Sequence, residues 1–279
     1  VTDHFRLLHL SDPHFGSERP VVVRALQALA QALEPSLTVV SGDLTQRARP
    51  HQFRAAGRFF GALKAVTADA PQLIVPGNHD VPILNLLARV RAPYALFCET
   101  FGPDREPVFD DVSVLVLGVD TSTPRRRVDG EVTEQQQQRV SAALANARPE
   151  QLKVVVVHQP VAVPADSQRQ RLLHGGQAAA QAWVRAGADL ILGGHIHLPF
   201  VLPVSEAGDS MAGPAWLVHA GTAVSDRLRM GAPNSVNEFR YARESRSLRL
   251  RRWDFDEASE SFRVRNDQPL PLTHSSLAD

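Results

Sequence analysis

Cysteine is nearly missing: Cys98 is alone among 279 residues, so no intrachain disulfide can form. No nucleophile or metal motif surrounds that thiol, and no Gly-x-Ser-x-Gly marks a serine nucleophile. No apolar run approaches the roughly 18 residues of a membrane span. Net charge is missing too, since 30 basic residues balance 30 acidic ones. That argues against a polyanion binder held by overall charge, and nucleic acid is not a favoured partner. Lysine is scarce: Lys64 and Lys153 apart, arginine carries the basic charge, a bias expected from codon usage. No charged and apolar leader precedes the first expected strand near Phe5, which predicts a cytoplasmic protein. A chain this long buries about three quarters of its unfolded surface. With no repeat or linker, one domain is expected over residues 1–267, followed by a loosely held tail over 268–279.

What the chain does have is short apolar runs that each end in polar residues. Phe5 to Ser11 reads as a strand running into Asp12-Pro13-His14. In extended chain residues two apart point the same way, so this carboxylate and imidazole can hold one ion. Leu37 to Val40 ends in Ser41-Gly42-Asp43, and Gln72 to Val75 ends in Pro76-Gly77-Asn78-His79-Asp80. Between them, residues 20–34 and 50–66 carry helical apolar stripes, Val22, Leu26, Leu29 and Leu33 in the first and Phe53, Phe59, Phe60 and Leu63 in the second. Such βα repeats imply right-handed crossovers and a parallel sheet, which sets the three polar clusters on one edge. Open α/β sheets bind their ligands there.

Residues 81–102 are expected to be helical with a break at Pro93, and 112–119 to form a strand leading to an Asp120-Thr121-Ser122 turn. Thr133 with Gln136 caps a helix to about Ala147. Lys153 to Val157 delivers His158. A long polar segment from Gln159 to Leu173, with Arg169 and Arg171, then reads as a lid or specificity loop. After a helix at 177–186, Asp189 to Leu192 delivers Gly194-His195-Ile196-His197. Beyond Pro199 only strands are expected, at about 200–204, 215–219, 236–242, 247–255 and 260–264. His219 reads as a packing residue, and Arg227-Leu228-Arg229 with Asn234-Ser235 reads first as surface turn and second as residues facing the site.

Together the strand ends carry Asp12, His14, Asp43, Asn78, His79, His158, His195 and His197. Imidazole, carboxylate and amide oxygen without thiolate suit first-row divalent ions rather than a structural zinc knot. The donors exceed what one ion needs, whereas two ions about 3.5–4 Å apart that share a carboxylate would use them. Two divalent ions, two ligand aspartates and a bridging hydroxide sum to roughly +1, which suits a phosphodiester monoanion. The sequence offers no motif-grade arginine or lysine to hold the further charge of a monoester.

Asp12-x-His14, Gly42-Asp43, Gly77-Asn78-His79-Asp80, His158 and Gly194-His195-x-His197, in that order, resemble the calcineurin-like metallophosphoesterase superfamily. Length and spacing are similar to its compact bacterial members, including class III cyclic nucleotide phosphodiesterases. The resemblance implies an α/β fold, a four-layer αββα sandwich with two mixed β-sheets flanked by helices, in which strands after His197 belong to the second sheet. It implies two divalent metal ions, manganese or iron, with zinc as a further option. Asp12, His14, Asp43 and His197 would hold the first ion, and Asp43, Asn78, His158 and His195 the second, with Asp43 bridging. His79 would be catalytic, oriented by Asp80. Gln159 departs from the family at a position where many relatives carry a second histidine. The implied reaction is attack of a metal-bridging hydroxide on a small-molecule phosphodiester, 3',5'-cyclic nucleotides among the candidates. A phosphatase or nuclease of the same superfamily, or a non-catalytic metal-binding scaffold, is the alternative, and a homo-oligomer is left open.

Overall fold

Strands that are apolar at every position are stable only with both faces covered, and that requirement sets the layering of this chain. The computed structural model describes residues 4–83, 85–126, 128–164, 172–204 and 215–272. β1 (His4–Leu10), β2 (Leu37–Ser41) and β3 (Gln72–Val75) run parallel, linked by α1 (Pro20–Leu33) and α2 (Pro50–Val66). A single 3-10 turn (Asn78–Asp80), α3 (Leu86–Arg91), α4 (Ala95–Phe101) and a short strand β4 (Val108–Asp110) follow. The second half alternates again: β5 (Val114–Gly118), α5 (Glu134–Ala145), β6 (Leu152–Val156), α6 (Gly176–Arg185) and β7 (Leu190–Gly193). Five strands close the described chain, namely β8 (Phe200–Val204), β9 (Ala215–His219), β10 (Ser235–Ala242), β11 (Ser247–Asp256) and β12 (Ser261–Pro269).

Two mixed six-stranded sheets result, with orders β12-β11-β10-β1-β2-β3 and β4-β5-β6-β7-β9-β8. Alternate residues of each strand divide between two cores, as the pleat requires. Leu7, Val39, Leu73 and Val75 meet Val114, Val116, Val154, Val156 and Leu192 between the sheets. Leu8, Leu10, Val40 and Ile74 face the other way, onto α1 and α2 through Leu26, Phe53 and Phe60. Leu115, Leu117, Val155 and Ile191 likewise pack on Val140 and Leu144 of α5 and Trp183 of α6. Helices, sheet, sheet and helices therefore make the four layers expected. The cap expected on α5 is present: Thr133 Oγ1 accepts from Gln136 N at 3.2 Å, and Gln136 Oε1 accepts from Thr133 N at 2.8 Å.

The strands after His197 divide between the sheets instead of all joining the second. β9 runs parallel to β7, with β8 antiparallel outside it, whereas β10 pairs antiparallel with β1 from His4↔Ala242 to His9↔Asn237. The reason is an edge. β2 covers one side of β1, and the other would expose backbone groups in the middle of the fold unless a strand paired with it. β4, three residues on the antiparallel edge of β5, is too short for periodicity to reveal. The helical stretch expected over 81–102 is two short helices split around Pro93, and Arg169 and Arg171 of the expected lid lie outside the described residues. Among the described residues no helix is long and apolar enough to cross a membrane.

The packed chain also extends past the expected boundary at 267. β12 reaches Pro269, Leu270 N donates to Leu248 O at 2.9 Å, and Leu270 and Leu272 are buried in the inter-sheet core. Residues 273–279 lie outside the described residues. Ending the chain after residue 267 is expected to cost about 3–6 kcal/mol, the burial of two leucine side chains. Urea unfolding checks this, and an unchanged midpoint would place the folded boundary at 267 after all.

Candidate metal centre

Each expected donor leaves the carboxyl end of a parallel strand: Asp12 and His14 after β1, Asp43 after β2, Asn78 and His79 after β3. His158 follows β6, and His195 and His197 follow β7. The pairing of Asp12 with His14 holds, but not because the chain is extended, whereas His195 and His197, also two apart, fall in different donor groups. φ is 51° at Asp12, 44° at His14, 55° at Asp43, 71° at His195 and 58° at His197. This left-handed region costs an L residue of the order of 1–3 kcal/mol. The chain turns at every one of these donors; the turn brings Asp12 and His14 together, and it sends His195 to the His158 side and His197 to the Asp12 side. Two glycines permit the close approach that results. A Cβ on Gly77 would run into the backbone N and Oδ1 of Asp43, and one on Gly194 into Ser11 Oγ and Asp12 Oδ2.

Asp43 sits between two groups of donors. Its Oδ1 is 3.2 Å from His158 Nε2, which lies 3.2 Å from Asn78 Oδ1 and 3.3 Å from His195 Nδ1. Its Oδ2 is 3.6 Å from His14 Nε2, which lies 3.0 Å from His197 Nε2 and 3.5 Å from Asp12 Oδ1. Donors about 2.0–2.2 Å from a common ion stand roughly 3.0–3.5 Å from one another, and both groups have that spacing. Among the described residues Asp12 Oδ1 is buried and accepts no hydrogen bond, with His14 Nε2 and His197 Nε2 3.5 and 3.3 Å away, while Oδ2 accepts from Ser11 Oγ at 2.7 Å and His195 N at 2.8 Å. A buried carboxylate oxygen with no donor is costly, and a cation at this position removes the cost. These donor atoms therefore fit two divalent ions.

Outer contacts fix which imidazole nitrogen faces the centre. His158 Nδ1 is 2.7 Å from Ser41 O, and His197 Nδ1 is 2.6 Å from Arg227 O. Carbonyls only accept, so Nδ1 carries a proton in both rings and Nε2 is the atom turned inward. Burial lowers the pKa of His158, but the adjacent Asp43 carboxylate outweighs it and lifts the value to about 9. Burial, with a smaller contribution from His197, draws His14 down to about 4 against the pull of Asp12 and Asp43. Burial would also raise Asp12, yet His197 and His14 hold its carboxyl well below the usual range. These carboxylates are strongly drawn to whatever cation is at hand.

His79 lies at the edge of the donor set, its ring edge-on to that of His14 at 4.8 Å between centroids, and one of its ligand atoms is within 4.8 Å of those of His14 and Asp43. Its ring is half-buried, with Nδ1 2.7 Å from Gln46 O, while its backbone N donates to Asp43 Oδ1 at 2.8 Å. The orienting role expected of Asp80 does not match its contacts. Asp80 Oδ2 accepts from Gly77 N and Leu44 N, and Oδ1 from Thr45 N and Oγ1. It ties the Asp43 loop to the His79 loop, and Gln46 O orients the ring. Gln159 is buried on Thr121, away from the donors. Asp120 accepts from Ser122 and pairs with Arg105, and His219 stacks on Phe200 at 4.5 Å, both as expected. Arg227 is the residue whose placement the sequence ranked second, facing the site rather than on a surface turn. Expected on a surface turn, its guanidinium NH1 lies 3.3 Å from His79 Nε2 and 3.1 Å from Gln46 Oε1. The available signal was its position a few residues beyond a strand that ends beside the donors.

Comparison with known proteins gives consistent results. A sequence model described as calcineurin-like phosphoesterase matches residues 5–199. A glycerophosphodiester phosphodiesterase, GpdQ, from Enterobacter lignolyticus is 28% identical over 171 residues, covering 56% of this chain and 57% of its own. Purple acid phosphatase PPD1 from yellow lupin superposes with a TM-score of 0.70 at 13% identity, over 100% of this chain and 57% of that one. A dimetal phosphatase from Danio rerio gives 0.59 at 15% identity, over 95% and 98% of the two chains. The two structural likenesses, at such identities, bear on the fold alone. The chain spans little more than half the length of the curated relative it matches.

Replacing Asp43 by alanine is expected to lower bound metal more than loss of any other single donor, because one side chain faces both groups. Metal counts per chain decide it, and a variant that holds two ions as tightly as the parent would exclude a shared carboxylate.

Proposed function

Because the chain belongs to the calcineurin-like phosphoesterase family, we propose that it is a hydrolase of phosphate esters that uses two divalent ions and takes small phosphodiesters as substrates. The observation that carries this reading is the Asp43 carboxylate, one oxygen turned to each donor group. Asp12, His14, Asp43 and His197 would hold one ion, and Asp43, Asn78, His158 and His195 the other, with manganese or iron suited to the donor set. Such ions supply Lewis acidity toward phosphoryl oxygens and toward water.

The protein's own contribution is placement. Ser41 O and Arg227 O hold two of the imidazoles with Nε2 inward, so these rings serve as donors and not as proton carriers. His79 has its Nδ1–H engaged by Gln46 O, which leaves Nε2, 3.3 Å from Arg227 NH1, as the ring atom that must first take up a proton before it can pass one to a departing alkoxide. Asp80 keeps that ring over the centre by joining the two loops that carry Asp43 and His79. A diester reading is supported by the matching stretch of the glycerophosphodiester phosphodiesterase. Glycerophosphodiesters and 3',5'-cyclic nucleotides are the substrate classes to compare. A scaffold that has lost its chemistry is disfavoured because every donor and His79 are in place.

His79→Ala is expected to retain both ions but lose about 10²–10⁴-fold in turnover, the usual size of a general acid contribution. The loss should shrink on bis(nitrophenyl) phosphate, whose leaving group needs little protonation. Equal losses on good and poor leaving groups would remove the acid role, and loss of an ion would make His79 a ligand.

A further inference from the structure

No motif marks an arginine for this site, yet Arg227 reaches it. NH1 lies 3.1 Å from Gln46 Oε1, 3.3 Å from His79 Nε2 and 3.4 Å from both ring nitrogens of His14. None of these partners is a carboxylate. The carboxylates that act on the guanidinium, Asp43, Asp12 and Asp226, do so without ion-pair contact. Among the described residues Nε and NH2 have no hydrogen-bond partner, so one side of the planar fork is open. A half-buried cation beside a metal centre, unpaired and with two free donors, is suited to a planar or tetrahedral oxyanion that binds there.

The backbone beneath this side chain is fixed by the centre itself. Arg227 O accepts from His197 Nδ1 at 2.6 Å, and Arg227 N donates to Ser225 Oγ at 3.3 Å. Ser225 Oγ lies 2.6 Å from Thr222 Oγ1, which in turn is 2.6 Å from Asp12 O. Asn234 Nδ2 holds Ser225 O at 2.8 Å. Two residues of the donor set thus determine where the guanidinium can reach, and Gln46 and His79 limit it from the other side.

We propose that Arg227 is a substrate-binding residue whose guanidinium takes non-bridging phosphoryl oxygens of the bound ester, and that its charge admits monoester dianions alongside diesters. The proposal rests on the hydrolase reading above. Two ions, two carboxylates and the attacking group leave about +1, and an arginine, charged at every working pH, brings the total to about +2. That balances a dianion where the donors alone balance a monoanion. Unlike His79, Arg227 cannot exchange protons with the substrate, so its part is binding and charge neutralisation.

The test uses the manganese-loaded protein, with Arg227→Ala and Arg227→Gln as variants and metal content measured for each. Calorimetry gives the affinity for inorganic phosphate, and kcat/KM is measured for bis(nitrophenyl) phosphate and nitrophenyl phosphate. With both ions retained, phosphate affinity should fall about 10–100-fold, the effect of losing charge-assisted hydrogen bonds. Monoester kcat/KM should fall about tenfold further than diester kcat/KM. Arg227→Gln, which keeps most of the length and an amide, provides the same measurement where the alanine variant sheds metal. Unchanged phosphate affinity and an unchanged ester ratio in a metal-replete variant would overturn the proposal. A parent that hydrolyses neither ester, yet binds phosphate through Arg227, would overturn the hydrolase reading and leave the arginine's role standing.

Discussion

The shared carboxylate of Asp43 is the constraint to which the rest of this structure answers. For one side chain to serve two donor groups, five loops from two different sheets must meet around it. Asp12, His14, Asn78 and His79 arrive from the first sheet, and His158, His195 and His197 from the second. Only the inter-sheet core can hold those two sets in register, and it does so with aliphatic side chains alternating along β1, β2, β3, β5, β6 and β7. Burial of such side chains contributes about 1.5–3 kcal/mol each. That is the right order to offset several donors held in the left-handed region at about 1–3 kcal/mol apiece.

The donor residues themselves were legible from sequence because strand ends declare themselves. A short apolar run followed by Gly42-Asp43 or Gly194-His195 needs no long-range information to read. The direction of a side chain at such an end is another matter. Asp12 and His14 converge because His14 N donates to Asp43 O and Asp12 N to Gly42 O, contacts some thirty residues away that turn the backbone left-handed. The extended-chain argument reached the correct pair for a reason the structure does not bear out. Asp80 illustrates the same limit, since its partners Leu44 and Thr45 lie in another loop.

Distant partners also explain what was misplaced. β10 looks in sequence like one more strand of a C-terminal run, and only the open edge of β1 sends it to the first sheet. Leu270 and Leu272 follow a Pro-containing segment that resembles a loose end, yet β12 hands them to the inter-sheet core. Arg227 lacks any local pattern. Its position depends on a carbonyl that accepts from His197, thirty residues earlier, and on a hydroxyl chain running back to Asp12.

Depth divides the labour within the site. Asp12, His14, Asp43, His158, His195 and His197 are buried, whereas His79 and Arg227 are half-buried on the rim. Buried imidazoles whose Nδ1–H is engaged by carbonyls can donate electron pairs inward but have no route for exchanging a proton with solvent. The proton transfer proposed for His79 and the anion binding proposed for Arg227 both require a side chain that reaches the centre and the incoming molecule. Gln46 connects the two rim residues, its backbone oxygen accepting from His79 Nδ1 at 2.7 Å and its side-chain oxygen from Arg227 NH1 at 3.1 Å. Gln46 itself lies three residues beyond Asp43, in the loop that Asp80 anchors. The loop that supplies the shared carboxylate therefore also sets the distance from that carboxylate to the rim, and the two functions cannot drift apart without breaking the hydrogen bonds to Asp80.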